Sequence, residues 1–202
     1  MGQRTTENVG VNDSVLVELS RQGDSEATER LILKYQHRIY NVILRMCGNV
    51  DDAAELTQDT FVKVIKNIGN FQARSSFYTW LFRIAVNLTL NYCQRDMRLS
   101  ISSLDTQIDS SSGKPRQTLK ELLADDSSID PSAVAANKEL CRLLIQMLMN
   151  LDESMRVLIV LRDIEGMNYA QIAQILGLEL GTVKSRLSRA RNALREKLEA
   201  FL

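Results

Sequence analysis

Apolar side chains recur along this chain at steps of three and four. Ala27, Leu31, Tyr35, Ile39, Val42 and Met46 form one such stripe, the spacing that lines up side chains on one face of an α-helix. Gly48-Asn49 then supplies a helix-ending glycine. Ala54, Thr57, Phe61, Ile65 and Ile68 make a second stripe closed by Gly69, and Phe77, Leu81, Ile84, Leu88 and Tyr92 a third. No stretch alternates apolar and polar residues over five or more positions, so no sheet is expected. From Arg98 to about Ala135 the pattern lapses into serine, aspartate and proline. Such a segment buries too little apolar surface to order itself, beyond one short helical turn around Leu119–Leu123. A connection of about 35 residues is long for the inside of one compact domain. Helical spacing resumes at Leu140, Leu144, Met147 and Leu148, breaks near Asn150–Asp152, and continues through Leu158 and Leu161 to Gly166. Asn168 and Gln171 have capping-box spacing ahead of a short helix from Tyr169 to Leu176. Gly177-Leu178 turns the chain into a last helix from about Leu180 to Glu199. The expected fold is all-α, two small helical domains joined by a flexible polar linker. Residues 1–12 are a disordered start, 13–97 the first domain, 98–135 the linker and 136–202 the second domain.

The composition fits a folded, water-exposed chain: 202 residues, 45% apolar and 25% charged, with 2 prolines and 9 glycines. No apolar run approaches the roughly 20 residues that span a bilayer, and the polar start lacks a secretory segment. Met1 to Thr6 fits a myristoylation pattern, but so short a match arises readily by chance. Cys47, Cys93 and Cys141 are odd in number and far apart, and His37 is the sole histidine. That argues against a zinc site and for reduced, partly buried thiols in a cytoplasmic protein. His37 sits inside a helical pattern, as a surface or packing residue.

Net charge is zero, but the charge is unevenly placed. Residues 1–70 carry −2, 71–98 carry +3, 99–135 carry −3 and 136–202 carry +2. Within the last part, 181–197 hold six basic residues and only Glu196 as an acid. Local stripes, rather than global charge, therefore point to polyanions.

The 168–195 segment reads as a helix-turn-helix. Ala173 is small where two helices cross, and Gly177 tolerates a left-handed turn. Ile172, Leu176, Leu178, Val183 and Leu187 would hold the second helix down. At about 100° per residue from Val183, the residues Val183, Leu187, Ala190, Leu194 and Leu198 share one face. Lys184, Ser185, Ser188, Arg189, Asn192 and Arg195 point the other way, with Arg186 and Arg191 on the flanks. From Lys184 to Arg195 this outer face holds groups that bond base edges and phosphates, and no acid.

Residues 71–92 concentrate six of eleven aromatics, Phe71, Phe77, Tyr78, Trp80, Phe82 and Tyr92, beside a stripe of Thr79, Arg83, Asn87, Asn91 and Arg95. Rings that stack on bases beside cations that meet phosphates suit a single strand. Phe77 and Phe82 are expected to be core. A third constellation, Asp51, Asp52, Glu55 and Asp59, runs along the start of a helix with Gln58. With no histidine or glycine-rich loop nearby it is a poor catalytic or metal site. It suits the helix dipole or docking to a basic protein surface.

These segments resemble the extracytoplasmic-function class of bacterial RNA polymerase sigma factors, in the subgroup similar to sigma-E. Phe77 to Asn87 (FYTWLFRIAVN) looks like the promoter-melting segment, Asp52 to Lys63 like the polymerase-binding helix, and Gly181 to Arg191 like the −35-reading helix. The resemblance covers about 13–97 and 136–200. It implies no catalytic residue and no cofactor. It implies core RNA polymerase and promoter DNA as partners, with an anti-sigma factor by kinship alone. By match, Tyr78, Trp80, Arg83, Asn87 and Asn91 would handle the −10 strand. Lys184, Ser185, Arg186, Ser188, Arg189 and Asn192 would read the −35 duplex. Asp52, Glu55, Gln58, Asp59 and Lys63 would meet polymerase. Two departures stand out: 71–76 lacks the Gly-Asp common in relatives, and Glu179 stands where relatives often carry Ser or Pro. A dimeric helix-turn-helix regulator would want a ligand pocket or phosphoacceptor domain, which 13–97 does not suggest. An all-helical enzyme would need a nucleophile–base pair, and a structural adaptor would not need the basic face.

Overall fold

The computed structural model describes residues 7–104 and 146–199, with side chains from 13 to 95 and from 146 to 199. Every described element is helical: α1 (Glu7–Arg21), α2 (Ser25–Cys47), α3 (Val50–Asn67) with a 3-10 turn Ile68–Asn70, and α4 (Phe77–Leu104) in the first half. The second half holds α5 (Glu153–Ile159), continued by a wide π-type turn Val160–Ile164, then α6 (Tyr169–Leu176) and α7 (Leu180–Glu199). No described helix is long and apolar enough to cross a membrane.

Helix ends follow local chemistry. Asp24 caps α2 by accepting from the Glu26 and Ala27 amides. Gly48, at φ 76°, closes α2 in the left-handed conformation, and its N–H reaches the Leu44 carbonyl. The next residue, Asn49, caps α3 through the Asp51 and Asp52 amides. One helix is thus stopped and the next started within two residues. The Asn168–Gln171 capping box forms in both directions at the start of α6, and Gly177 closes it at φ 64°.

Several boundaries differ from the sequence expectation. The backbone is already helical at Glu7, where a disordered start was expected, and α4 runs past 97 to Leu104. No proline interrupts either stretch, and an uninterrupted helix continues until something stops it. The remaining linker residues from 105, the Leu119–Leu123 turn, Leu140, Cys141, Leu144 and the Met1–Thr6 pattern lie outside the described residues.

The α2 stripe is buried as spaced, from Ala27 to Met46. The α3 stripe is out of phase: Ala54 and Ile65 are exposed, while Ala53, Leu56, Thr60, Phe61, Val64 and Ile68 are buried. Adjacent apolar pairs, Ala53/Ala54 and Val64/Ile65, leave the face ambiguous until α2 and α4 choose it. Buried Thr60 is satisfied by donating to the Leu56 carbonyl at 2.7 Å.

The two helical halves share a seam. Leu148, Leu151, Val157 to Leu161, Met167, Ile172 and Ile175 join the same buried cluster as the α2–α4 residues. Arg156 of α5 donates to the Met46 carbonyl at the end of α2, and to Leu148, Met149 and Leu151 carbonyls at 2.9–3.0 Å. Burial lowers the pKa of this guanidinium. Its site at a helix C-terminus compensates, since carbonyls with no intrahelical partner point there.

Candidate nucleic-acid interface

On α7 the wheel drawn from the sequence holds. Val183, Leu187 and Ala190 are buried, and Lys184, Ser185, Arg186, Ser188, Arg189, Asn192 and Arg195 are exposed. The buried residues dock α7 on α5 and α6, so the basic residues turn outward on a rigid support. Two contacts shape the rim of this face. The Tyr169 ring carries Lys184 Nζ at 5.9 Å and Arg162 Cζ at 5.0 Å from its centroid, close enough for cation–π attraction. Arg191 pairs with Asp163, and that hydrogen bond raises its pKa. Arg191 is thereby drawn off toward α5. Tyr169 and Asp163 were not singled out from the sequence. Only the fold brings them beside α7.

The α4 residues fall into two groups. Trp80 is half-buried, its ring 5.1 Å from Phe71 and 5.8 Å from Phe77 between centroids. Arg83, Asn87 and Asn91 are exposed along the same side of the helix, at steps of four. Thr79 is buried, and its backbone N–H donates to Ser76 Oγ at 3.2 Å. Tyr78 lies about 180° around the helix from Asn87. Its ring packs 4.3 Å from Phe82 and 6.1 Å from Tyr35, with Arg38 Cζ 4.9 Å from its centroid. The hydroxyl is buried with no partner, and burial raises its pKa. Tyr78 therefore sits apart from the Trp80–Asn91 face with which it was grouped. Phe77 and Phe82 are core.

A cleft of about 240 Å³ opens beside Trp80, lined by Arg74, Ser75, Thr79, Trp80, Arg83 and, from α6, Gln174. Two guanidinium groups, two hydroxyls, an indole and an amide converge there. Arg74 and Ser75 belong to the loop 71–76, in which Ala73 adopts φ 51°. Gln174 carries no sequence signal of its own, because its role depends on the two halves meeting.

On α3, Asp51, Glu55, Gln58, Asp59 and Lys63 are exposed and Asp52 is half-buried. Exposed Val62 and Ile65 continue that face toward the helix C-terminus. His37 is exposed on α2. Cys47 and Cys93 are half-buried, and burial pushes the Cys47 thiol up. Among the described residues no three His, Cys, Asp or Glu gather into a metal-binding group.

Two family descriptions match the chain, Sigma-70 region 2 over residues 31–99 and Sigma-70, region 4 over 141–194. The ECF RNA polymerase sigma-E factor of Escherichia coli K12 is 32% identical over 192 residues, spanning 95% of this chain and 97% of that protein. The chain belongs to the extracytoplasmic-function sigma factors. Among solved structures, CnrH in complex with the cytosolic domain of CnrY is similar at a TM-score of 0.64 and 25% identity, over 94% of this chain and 98% of that one. The sigma factor RpoE in complex with the anti-sigma factor NepR from Bartonella quintana is similar at 0.63 and 27% identity, over 85% and 96%. This sigma factor thus acts in transcription initiation as an alternative sigma. Both strong motif regions fall inside the matched segments, the FYTWLFRIAVN run in region 2 and the α7 face in region 4.

Proposed function

We propose that this sigma factor divides promoter recognition between its halves. The outer face of α7, through Lys184, Ser185, Arg186, Ser188, Arg189 and Asn192, reads the −35 duplex in the major groove. Phosphate neutralisation sets affinity there and base edges set register. The Trp80–Arg83–Asn87–Asn91 face of α4 receives the −10 strand once it opens. The ring cluster stacks a base, and the cations and amides meet phosphates and base edges. The acidic face of α3, Asp52, Glu55, Gln58 and Asp59 with Lys63, docks on core polymerase. The chemistry of RNA synthesis stays with the polymerase, and this chain contributes no catalytic residue. It acts in the cytoplasm, and an anti-sigma protein restrains it, as NepR binds the similar RpoE of Bartonella quintana. The observation that carries the reading is the separation on α7 of a buried apolar face from an exposed one that holds no acid between Lys184 and Arg195.

The test is reconstitution with core RNA polymerase on genomic promoter fragments. Transcripts should start at discrete sites. Asn87→Ala should lower open-complex formation by about tenfold while closed-complex binding changes less than twofold, given roughly 1–3 kcal/mol for a base contact. Equal loss in both steps removes α4 from strand capture.

A further inference from the structure

Arg162, Asp163, Tyr169 and Arg191 lie outside the six residues assigned to the duplex, yet they gather with Lys184 where the start of α6 meets the rim of α7. Tyr169 is their hub. Its half-buried ring packs on the core and carries Arg162 Cζ at 5.0 Å and Lys184 Nζ at 5.9 Å from its centroid. Arg162 is fixed a second time, donating through Nη1 to the Met167 carbonyl at 2.7 Å. Arg191 comes two turns after Lys184 and within about 20° of it around the helix. The bond to Asp163 raises the Arg191 pKa, and the Tyr169 hydroxyl adds to that rise. We propose that Tyr169 is a positioning residue: it gathers Arg162, Lys184 and Arg191 into a clamp for the phosphodiester oxygens of duplex DNA, and Asp163 is the clamp's counter-charge, occupying Arg191 until a phosphate displaces it. This inference rests on the duplex-reading role of α7 proposed above.

Place and charge select the ligand. When a helix-turn-helix docks, its second helix enters the major groove while its first crosses the backbone. The cluster stands between the two, since Tyr169 opens α6 while Lys184 and Arg191 belong to α7. Three cations and one acid leave an excess of positive charge, which suits a polyanion. A guanidinium fork matches the spacing of phosphate oxygens. A cation held over a ring face spends no N–H group on the ring, so its donors remain for the ligand. Phosphates are alike at every base pair, so such a clamp adds affinity and orientation without sequence preference. The counter-charge is built to exchange. Arg191 Nε donates to Asp163 Oδ2 at 3.1 Å and Nη2 to Oδ1, but the two side chains are 45% and 37% exposed. Water screens a pair this open and leaves it weak. A DNA phosphate offers the same pair of oxygens, backed by the charge of the whole duplex. Away from DNA the acid keeps Arg191 occupied and reduces the pull of the cluster on other polyanions.

The test is closed-complex binding by the holoenzyme on a duplex with the matched −35 element, on single-base variants of it, and on a duplex without it. Arg162→Gln and Arg191→Gln should each lower the slope of log K against log[salt] by about one unit and weaken every duplex alike. Tyr169→Leu should weaken binding about fivefold, again on every duplex. Tyr169→Phe, which keeps the ring, should recover most of that loss. Asp163→Asn should tighten binding about threefold, and the gain should vanish in an Arg191→Gln background. Unchanged slopes in both arginine variants overturn the clamp. So does a Tyr169→Leu loss confined to the matched −35 element, which would make the ring a support for base reading. A gain from Asp163→Asn that persists without Arg191 reduces the acid to general repulsion and overturns its role as counter-charge. Arg191→Gln and Asp163→Asn alter exposed side chains, so they carry the test should Tyr169→Leu reduce helicity by circular dichroism. Failure of the functional reading shows separately: a wild-type holoenzyme that binds matched and unmatched duplexes equally defeats −35 reading by α7, while the salt slopes still score the clamp.

Discussion

Ala73 holds the only left-handed backbone among the described non-glycine residues, at φ 51°. An L side chain there crowds its own carbonyl, at a cost of about 1–2 kcal/mol. Glycine would escape that cost but lose more freedom on folding, by about 0.5–1 kcal/mol. Ala73→Gly should therefore stabilise the chain by about 0.5 kcal/mol, read as a higher urea midpoint at constant m-value. A lower midpoint would mean that the Ala73 methyl makes packing contacts that outweigh its strain. The residue scale is also where the sequence was least legible. Asp13 is buried on α1, accepting from Tyr35 Oη and pairing with Lys34 at 2.6 Å. Burial and the Asp13 carboxylate together raise the Tyr35 pKa. Neither link has a sequence signature, because the partners are some twenty positions apart and periodicity says nothing about which polar groups meet.

At the scale of elements, periodicity and punctuation carried most of the fold. Gly48, Gly166 and Gly177 all adopt positive φ at the ends anticipated for them. A Cβ on Gly177 would meet no atom within 4 Å, so its replacement isolates backbone strain. Gly177→Ala should lower stability by about 1–2 kcal/mol. The loss should appear as a lower melting temperature, together with weaker duplex binding as α7 loses its fixed angle to α6. Unchanged stability would show that the turn relaxes to another geometry. On α7 itself the contributions are electrostatic. Lys184→Ala and Arg189→Ala should each reduce the salt dependence of promoter binding, measured as log K against log[salt], by about one unit of slope. Where periodicity failed, on α3, the wheel offered two adjacent apolar faces and tertiary contact picked one. The same limit explains Tyr78. Its aromatic ring suggested stacking on bases, but its angular position sends it toward Tyr35 and Arg38 instead of toward Asn87.

For the whole molecule, Arg156 is the group on which the seam most depends. A single guanidinium serves four backbone carbonyls drawn from both halves. Arg156→Leu would preserve bulk and leave those acceptors to find water. We expect a loss of about 2–3 kcal/mol, measured by urea unfolding followed by far-UV circular dichroism. A loss below about 0.5 kcal/mol would show that water already reaches them. None of this was readable along the chain, since the Met46 carbonyl and Arg156 are 110 positions apart and a main-chain acceptor has no residue type. The existence of two halves was legible from the polar gap between two periodic regions. Their contact was not, because it is made by polar pairs and by a few apolar residues that each half could have buried alone.

The placement of Gln174 at the edge of the cleft has a quantitative consequence. The helix that bears it belongs to the same chain as the surface it covers, so it cannot be diluted away. A rival for that surface competes with a tethered neighbour whose local abundance is of millimolar order. Weak, incidental single strands would then be turned away at ordinary cellular levels. A strand presented by the polymerase, itself delivered at high local concentration, would displace the tether. Selectivity for opened promoters over stray nucleic acid would follow from connectivity alone, without any additional contact to a base.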